Sequence, residues 1–512
     1  MRSELPFTQK LAVSAVCLLL AGCGHTATRQ ATSCASWIGN KCLSPVAIQE
    51  QAPQEIDDVV IASQLSSIGS SAADSDETIS AVSDQTQAPA SSPVAPSPAT
   101  ENVALSSGWM SLREVVEHTL ETNPDMGIAA ARLDNARFGI DVARAAQRPL
   151  VTVSTGVGLE NTYNEDSSTQ GVNRQEAAIS VRQPLFDFGA RRLEVDRQRD
   201  LFSAAERRLE RAANDVTLEV AEVYAQILSV DEQIGFAVQN VETHEQIARL
   251  VEASEEEGNA TVADVERAMS RLEQARTILI DLKSQRENTI EAFVRLTELR
   301  PSKLSEIPRL GNAPASVDRL PVAVEDNPEV KAIRAEIEAF EKQLQTLRAG
   351  GRPTVGVELD ANLRNNVGGN SGESQDARAM LRFRHTLYDG GLNRASINQI
   401  NSRLIEAEQR LRRTRKEVEE DIRNNLRNND TGRNKSSSLN ERVAAASKVL
   451  ELYIEQFKGG ERTLFEVLDG QADLFSAQTE RSANRYTTIL TNYRTLATRG
   501  LLLKALFSPA GE

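Results

Sequence analysis

Val151-Thr152-Val153-Ser154-Thr155-Gly156-Val157-Gly158-Leu159 alternates residue by residue. Its odd positions carry Val, Val, Thr, Val and Leu, and its even positions Thr, Ser, Gly and Gly. The same period of two recurs where Ile179 and Val181 alternate with Ser180 and Arg182. In 354–362, Val355, Val357, Leu359 and Ala361 alternate with Glu358, Asp360 and Asn362, and in 377–385, Ala379, Leu381 and Phe383 alternate with Met380, Arg382 and Arg384. Period two with one apolar and one charged face predicts four strands. A soluble sandwich alternates too, but four strands make a poor core for a chain of 512 residues. An apolar outer face and a charged inner face suit a membrane β-barrel, whose tilted crossings take about nine residues. Four strands cannot close alone, because small barrels need about eight. An open edge in lipid would leave backbone groups unpaired. If these strands lie in a membrane, several chains must therefore share one barrel, and three copies would supply twelve strands.

The strands belong to a unit written twice. Asn123-Pro124 and Arg148-Pro149 recur as Asn327-Pro328 and Arg352-Pro353, 204 positions later. Leu185-Phe186-Asp187 and Gly189 recur as Leu387-Tyr388-Asp389 and Gly391, 202 positions later. Gly258, Thr261 and Val265 recur as Gly460, Thr463 and Val467 at that same offset of 202. The offset changes once, by two residues between Pro149 and Leu185 where a loop shortened, and otherwise holds, which indicates tandem duplication with repeats at 109–310 and 311–508. In each repeat Asn as cap and Pro at the first helical position start a helix, and the Arg-Pro pair stops it. Two strands follow, then a long proline-free stretch. In the first repeat, apolar residues at mixed three and four spacing over 188–254 predict a helix of roughly 100 Å. Gly258 and Gly459-Gly460 mark far turns, with return helices over 262–298 and 463–506. Asn429-Asp430-Thr431-Gly432 lies inside the second long helix, where a glycine costs about 1 kcal/mol relative to Ala, and predicts a kink or break.

The remaining chain is an address and a tether. Residues 1–23 combine Arg2 and Lys10 with an apolar run from Leu11 to Leu20, too short to span a bilayer and suited to a secretory signal. The ending Leu20-Ala21-Gly22-Cys23 resembles a bacterial lipobox, which implies lipidation of Cys23. Gly24 in the next position points, by the same resemblance, to the outer membrane. From Leu43 to Leu112 there is no Lys or Arg, and the stretch is rich in Ser, Ala and Pro. Residues 24–108 are expected to be a disordered acidic linker. Cys34 and Cys42 lie in it, either as a local disulfide or as free thiols.

Composition excludes much else. With 58 Lys+Arg against 73 Asp+Glu the formal charge is −15, which argues against nucleic-acid binding. All four cysteines precede residue 43, so the body cannot hold a thiolate metal cluster. His118, His244 and His385 share no metal-like spacing, and no phosphate loop or nucleophile elbow occurs. Neither a cofactor nor an enzymatic activity is expected.

In these features the chain resembles the TolC-type outer-membrane efflux proteins. The resemblance covers about 109–508. It rests on the Asn-Pro starts, the Arg-Pro turns, Gln183-Pro184-Leu185-Phe186-Asp187-Phe188-Gly189 with its partner Leu387-Tyr388-Asp389-Gly390-Gly391, and Gly460-Glu461-Arg462-Thr463-Leu464-Phe465-Glu466-Val467-Leu468-Asp469. It implies a mainly α protein with a transmembrane β-barrel: a homotrimer whose twelve-stranded barrel, four strands per chain, stands on a long α-helical periplasmic tunnel. It implies an outer-membrane exit channel of a tripartite export system, for multidrug efflux or type I protein secretion. Its partners would be a periplasmic adaptor, an inner-membrane pump (a proton-driven or an ABC transporter) and outer-membrane lipid. By position, Glu466 and Asp469 fall at acidic entrance rings, where crowded carboxylates attract cations. Arg462 falls at a gating arginine, Asp264 at its carboxylate partner, and Phe457 at an assisting aromatic, without the hydroxyl of Tyr. Against this stands solvated helix-face charge, since surface pairs are worth only about 0–1 kcal/mol. The alternative from another class is a periplasmic coiled-coil adaptor or scaffold without a pore, which would normally carry one hairpin flanked by β-rich domains.

Overall fold

The computed structural model describes residues 109–164, 167–311, 320–368 and 370–508. The signal segment, Cys23, the linker with Cys34 and Cys42, and the extreme C-terminus lie outside the described residues.

Elements follow in the order β1 (Trp109–Met110), α1 (Leu112–Thr122), α2 (Pro124–Ala145), β2 (Leu150–Asn164), β3 (Ser167–Phe186), α3 (Ala190–Glu256), α4 (Val262–Thr297), β4 (Lys303–Leu304), α5 (Leu320–Asp326), α6 (Pro328–Gly350), β5 (Thr354–Val367), β6 (Asn370–Arg384), α7 (Leu392–Lys458), α8 (Leu464–Thr498) and α9 (Leu502–Phe507). Both Asn-Pro pairs start helices as expected. Asn123 accepts from the amide of Asp125 at 2.8 Å, and Asn327 from those of Glu329 and Val330 at 2.9 and 3.0 Å. Each proline occupies a first-turn position whose amide has no helical partner in any case.

The four long strands form one antiparallel sheet in the order β2-β3-β5-β6, leaving β2 and β6 as edges. They run to 15, 20, 14 and 15 residues, longer than the nine or so expected. Beyond the apolar alternation the hairpins continue through segments such as Asn161–Asn164, which are polar throughout and carry no period-two signal. Val151, Val153, Val157 and Leu159 on β2 and Leu381 and Phe383 on β6 are exposed, Val157 to 86%. The opposite face carries cross-strand ion pairs: Arg174 to Glu160 at 2.9 Å, Arg364 to Asp376 at 3.1 Å and Arg382 to Glu358 at 2.5 Å.

Each strand pair turns into a 67-residue helix, α3 or α7, about 100 Å long. The turn is set by Asp187 and Asp389. Asp187 Oδ1 accepts from the amide of Gly189 at 3.1 Å and Asp389 Oδ1 from that of Gly391 at 2.9 Å. The glycines sit at φ 83° and 87°, in the left-handed region where a side chain is disfavoured.

Two further expectations fail. Helix α7 runs unbroken through Asn429–Gly432. Gly432 is there for clearance: a Cβ would lie 2.2 Å from Thr488 Oγ1 on α8, and Asn484 Nδ2 donates to its carbonyl at 2.9 Å. The last return helix ends at Thr498 instead of continuing to 506. The chain turns at Gly500, at φ 69°, tight against Pro328, before the short helix α9.

A main core gathers α1, the middle of α3, the ends of α4 and α8, and α9. In it the Tyr224 hydroxyl lies 2.9 Å from the Met110 carbonyl and 2.7 Å from that of Ser305, beside the parallel β1–β4 pair. A second core closes the far end of the helices. Ile247, Ala248 and Val251 of α3 pack there with Ala268 of α4, Leu450 of α7, and Leu464, Val467 and Leu468 of α8.

Candidate functional site at the tips of the helical hairpins

Both hairpins reverse through the same local chemistry. Gly258, at φ 77°, ends the first long helix and Gly460, at φ 72°, the second. Three residues later Thr261 or Thr463 caps the return helix. Thr261 Oγ1 donates to Asp264 Oδ2 at 2.7 Å, its amide donates to the same oxygen at 3.2 Å, and the Asp264 amide donates back to the hydroxyl at 3.2 Å. Thr463 and Glu466 repeat this at 2.9, 3.1 and 3.4 Å. These are capping boxes, which satisfy two orphan donors at a helix start. Asp264 and Glu466 are equivalents across the repeat, 202 positions apart.

The hydrogen bonds from Thr261, side chain then backbone, hold the Asp264 carboxyl below its ordinary value, with Arg267 adding a smaller pull. For Glu466 the backbone bond from Thr463 leads, followed by the Thr463 hydroxyl and Arg462. Both carboxylates stand at helix N-termini, where the macrodipole also favours negative charge.

The structure does not join Asp264 to Arg462 within the chain. Asp264 has Arg267 at 3.9 Å. Arg462 pairs with Glu466, donates from Nε to Gln456 Oε1 at 2.9 Å and lies 4.5 Å over the Tyr453 ring. Phe457 packs half-buried against the tip core. The aromatic group that meets the arginine is thus Tyr453, a residue the sequence reading missed. Asp469 is exposed and makes no ion pair among the described residues. It follows Glu466 by three positions, so the two acids share one face of α8 while Val467 and Leu468 face the core. The first repeat has Arg267 where the second has Asp469. The first tip therefore balances its capping acid on its own helix, and the second leaves one acid free.

Sequence reasoning also overlooked a buried polar seam. Gln471 Nε2 donates to Asn240 Oδ1 at 2.7 Å, tying α8 to α3, and His244 lies buried one turn further along α3. The capping boxes had a signal, Thr-x-x-Asp and Thr-x-x-Glu directly after a glycine turn. The seam had none, since Gln and Asn in a helix read as surface. Among the described residues no cluster of His, Cys, Asp and Glu is arranged to hold a metal, and no helix is long and apolar enough to cross a membrane.

The profile described as outer membrane efflux protein matches residues 115–298 and again 320–498. Outer membrane efflux protein BepC of Brucella suis is 21% identical over 72% of this chain and 82% of its own. Pyoverdine export outer membrane protein OpmQ of Pseudomonas aeruginosa is 24% identical over 72% of this chain and 81% of its own. Among solved structures, the outer membrane protein VceC of Vibrio cholerae superimposes with a TM-score of 0.67 at 16% identity, covering 76% of this chain and 96% of that one. The CmeC outer membrane channel of Campylobacter jejuni gives 0.67 at 15% identity, covering 76% and 86%. A duplicated strand-pair and helical-hairpin unit, matched in both copies, makes this chain a member of the outer membrane efflux protein family.

Proposed function

We propose that three copies of this chain close one twelve-stranded barrel in the outer membrane, continued by a helical duct into the periplasm, through which cargo leaves the cell. The observation that carries this is the four-stranded sheet. It has an exposed apolar face, an ion-paired polar face and two edges that are unpaired among the described residues. In lipid such edges need partners, and only neighbouring copies can supply them in closed form. Lipidation of Cys23 would anchor each copy, with 24–108 as the tether, and 109–310 and 311–508 as the duplicated body.

The hairpin tips form the periplasmic mouth in this account. Glu466 and Asp469 repeat around it as acidic rings, and Asp264 and Arg462 of adjoining coils hold it shut. The arginine is kept available by weak, exchangeable contacts, a half-exposed carboxylate and a tyrosine face, rather than by a buried pair. Energy and cargo choice come from an inner-membrane pump and an adaptor. Relatives named for pyoverdine export and for protease secretion support a shared duct that serves different pumps. The pore-free scaffold is disfavoured because both hairpins adjoin strand pairs.

The test is single-channel conductance in a planar bilayer. The wild type should show a small, cation-selective conductance that rises in Asp264→Ala/Arg462→Ala. Equal conductances would remove the gate and keep the duct. Inserted oligomers that never conduct in either form would return the scaffold.

A further inference from the structure

The apolar face of the sheet ends, next to the helices, in an aromatic cluster. Phe186 pairs with Val355 just past a β-bulge, Val355 pairs with Phe383 on the next strand, and both phenylalanines are exposed. Phe188 joins them edge-on, its ring centroid 4.8 Å from that of Phe186. The Arg352 guanidinium stands 5.2 Å over the Phe188 ring and makes no ion pair among the described residues. Phe186 also lines a cleft of about 520 Å³ shared with Arg192, which likewise makes no ion pair among the described residues.

Phe188 is an unexpected choice for its place. Its φ is +53°, in the left-handed region that a side chain disfavours. The equivalent position of the second repeat, 202 residues on, is Gly390 at φ +68°. The fold therefore works with glycine in this turn. The first repeat keeps a phenylalanine against that preference, and its ring lies between Phe186 and a free cation. Backbone held in this region by a bulky residue is found chiefly at ligand clamps, active sites and switch regions.

We propose that Arg352 and Phe188 form a binding site for a glycerophospholipid of the leaflet facing the periplasm. The phosphate diester meets the guanidinium, and the acyl chains lie along Phe186, Phe383 and Val355. Arginine suits a phosphate oxygen pair, and stacking on an aromatic face holds its fork in place at low entropic cost. The rim of the apolar face supplies the acyl surface, so headgroup and chains are served by adjoining residues. The site rests on the membrane reading given above, because only then does this face meet lipid.

The experiment uses the purified, conducting oligomer in detergent. Bound lipid is counted by native mass spectrometry on titration with phosphatidylglycerol, with diacylglycerol as the phosphate-free comparison and inorganic phosphate as competitor. Wild type should bind phosphatidylglycerol in preference to diacylglycerol, and inorganic phosphate should not displace it. Arg352→Gln and Phe188→Gly should each weaken binding about tenfold and leave conductance intact. Phe188→Gly relieves the turn, so its thermal stability should not fall, which separates loss of the site from loss of the fold. Equal binding by the wild type and both variants would overturn the proposal. So would equal uptake of diacylglycerol, which is apolar adhesion alone, or displacement by inorganic phosphate, which is a free-anion site. Oligomers that fail to insert would sink the membrane reading itself, and the lipid site with it.

Discussion

His244 lies buried on α3, its Nδ1 atom without a hydrogen-bond partner among the described residues, one turn from the Asn240–Gln471 hydrogen bond. Burial, and secondarily Arg271, lowers its pKa. The unfolded imidazole, near its ordinary value of about 6.5, thus binds a proton before the folded one does. Its contribution to stability is complete above that value and is lost as pH falls through it toward the lower folded value. Between about pH 7 and pH 5.5, amide exchange around residues 240–251 should therefore accelerate beyond its intrinsic pH dependence. His244→Gln should flatten that excess, and an unchanged excess would rule His244 out as its source. The tip carboxylates carry the same sign at lower pH. Asp264 and Glu466 have depressed values, so their caps hold above the ordinary carboxylate range and fail as pH falls through the folded values. Thr261→Ala and Thr463→Ala should each cost about 1 kcal/mol of local stability, read as faster exchange at the first turns of α4 and α8. Unchanged exchange would mean that the hydroxyls do not cap. The resemblance singled out Asp264, Arg462 and Glu466 as gate residues, and the structure places the two acids in capping boxes. Their local partners were less legible, because a capping acid and a pore acid are the same residue types at the same place.

At the level of elements, the Asn-Pro caps, both long helices and all four strands were readable, since each had a period or a punctuating residue. What escaped lacked one. Strand ends were missed where both faces turn polar. The end of α8 was missed because Gly500 alone marks it. Gly432 was misread because intrinsic propensity sees only the helix that contains it, whereas its role is set by Thr488 on α8. This yields an inverted prediction. By propensity Gly432→Ala should stabilise α7 by about 1 kcal/mol. By packing it should destabilise by about 1–3 kcal/mol, because the new methyl collides with a hydroxyl. Thermal unfolding should show the loss, and Thr488→Ala in the same chain should recover most of it. A stabilised single variant would refute the close-approach account. In the main core, Tyr224→Phe should cost about 1–2 kcal/mol through the lost carbonyl contacts at Met110 and Ser305. An unchanged melting temperature would show that the hydroxyl is dispensable.

At the scale of the whole molecule, the proposed assembly makes the sheet of each chain one third of a closed barrel. Within one chain β2 and β6 are opposite edges, separated by three strand spacings. At about 4.8 Å each, that is about 14 Å, well beyond the roughly 7 Å limit for Cα atoms joined by a disulfide. Any disulfide between these strands must therefore join two chains. The decisive measurement is cross-linking in membranes, with Cys34 and Cys42 replaced, Cys23 kept as the proposed lipid anchor, and single cysteines scanned in pairs along β2 and β6. Oxidation should give a covalent ladder that ends at three chains. A ladder ending at two chains, one that continues without limit, or no cross-link at any register would contradict the shared barrel.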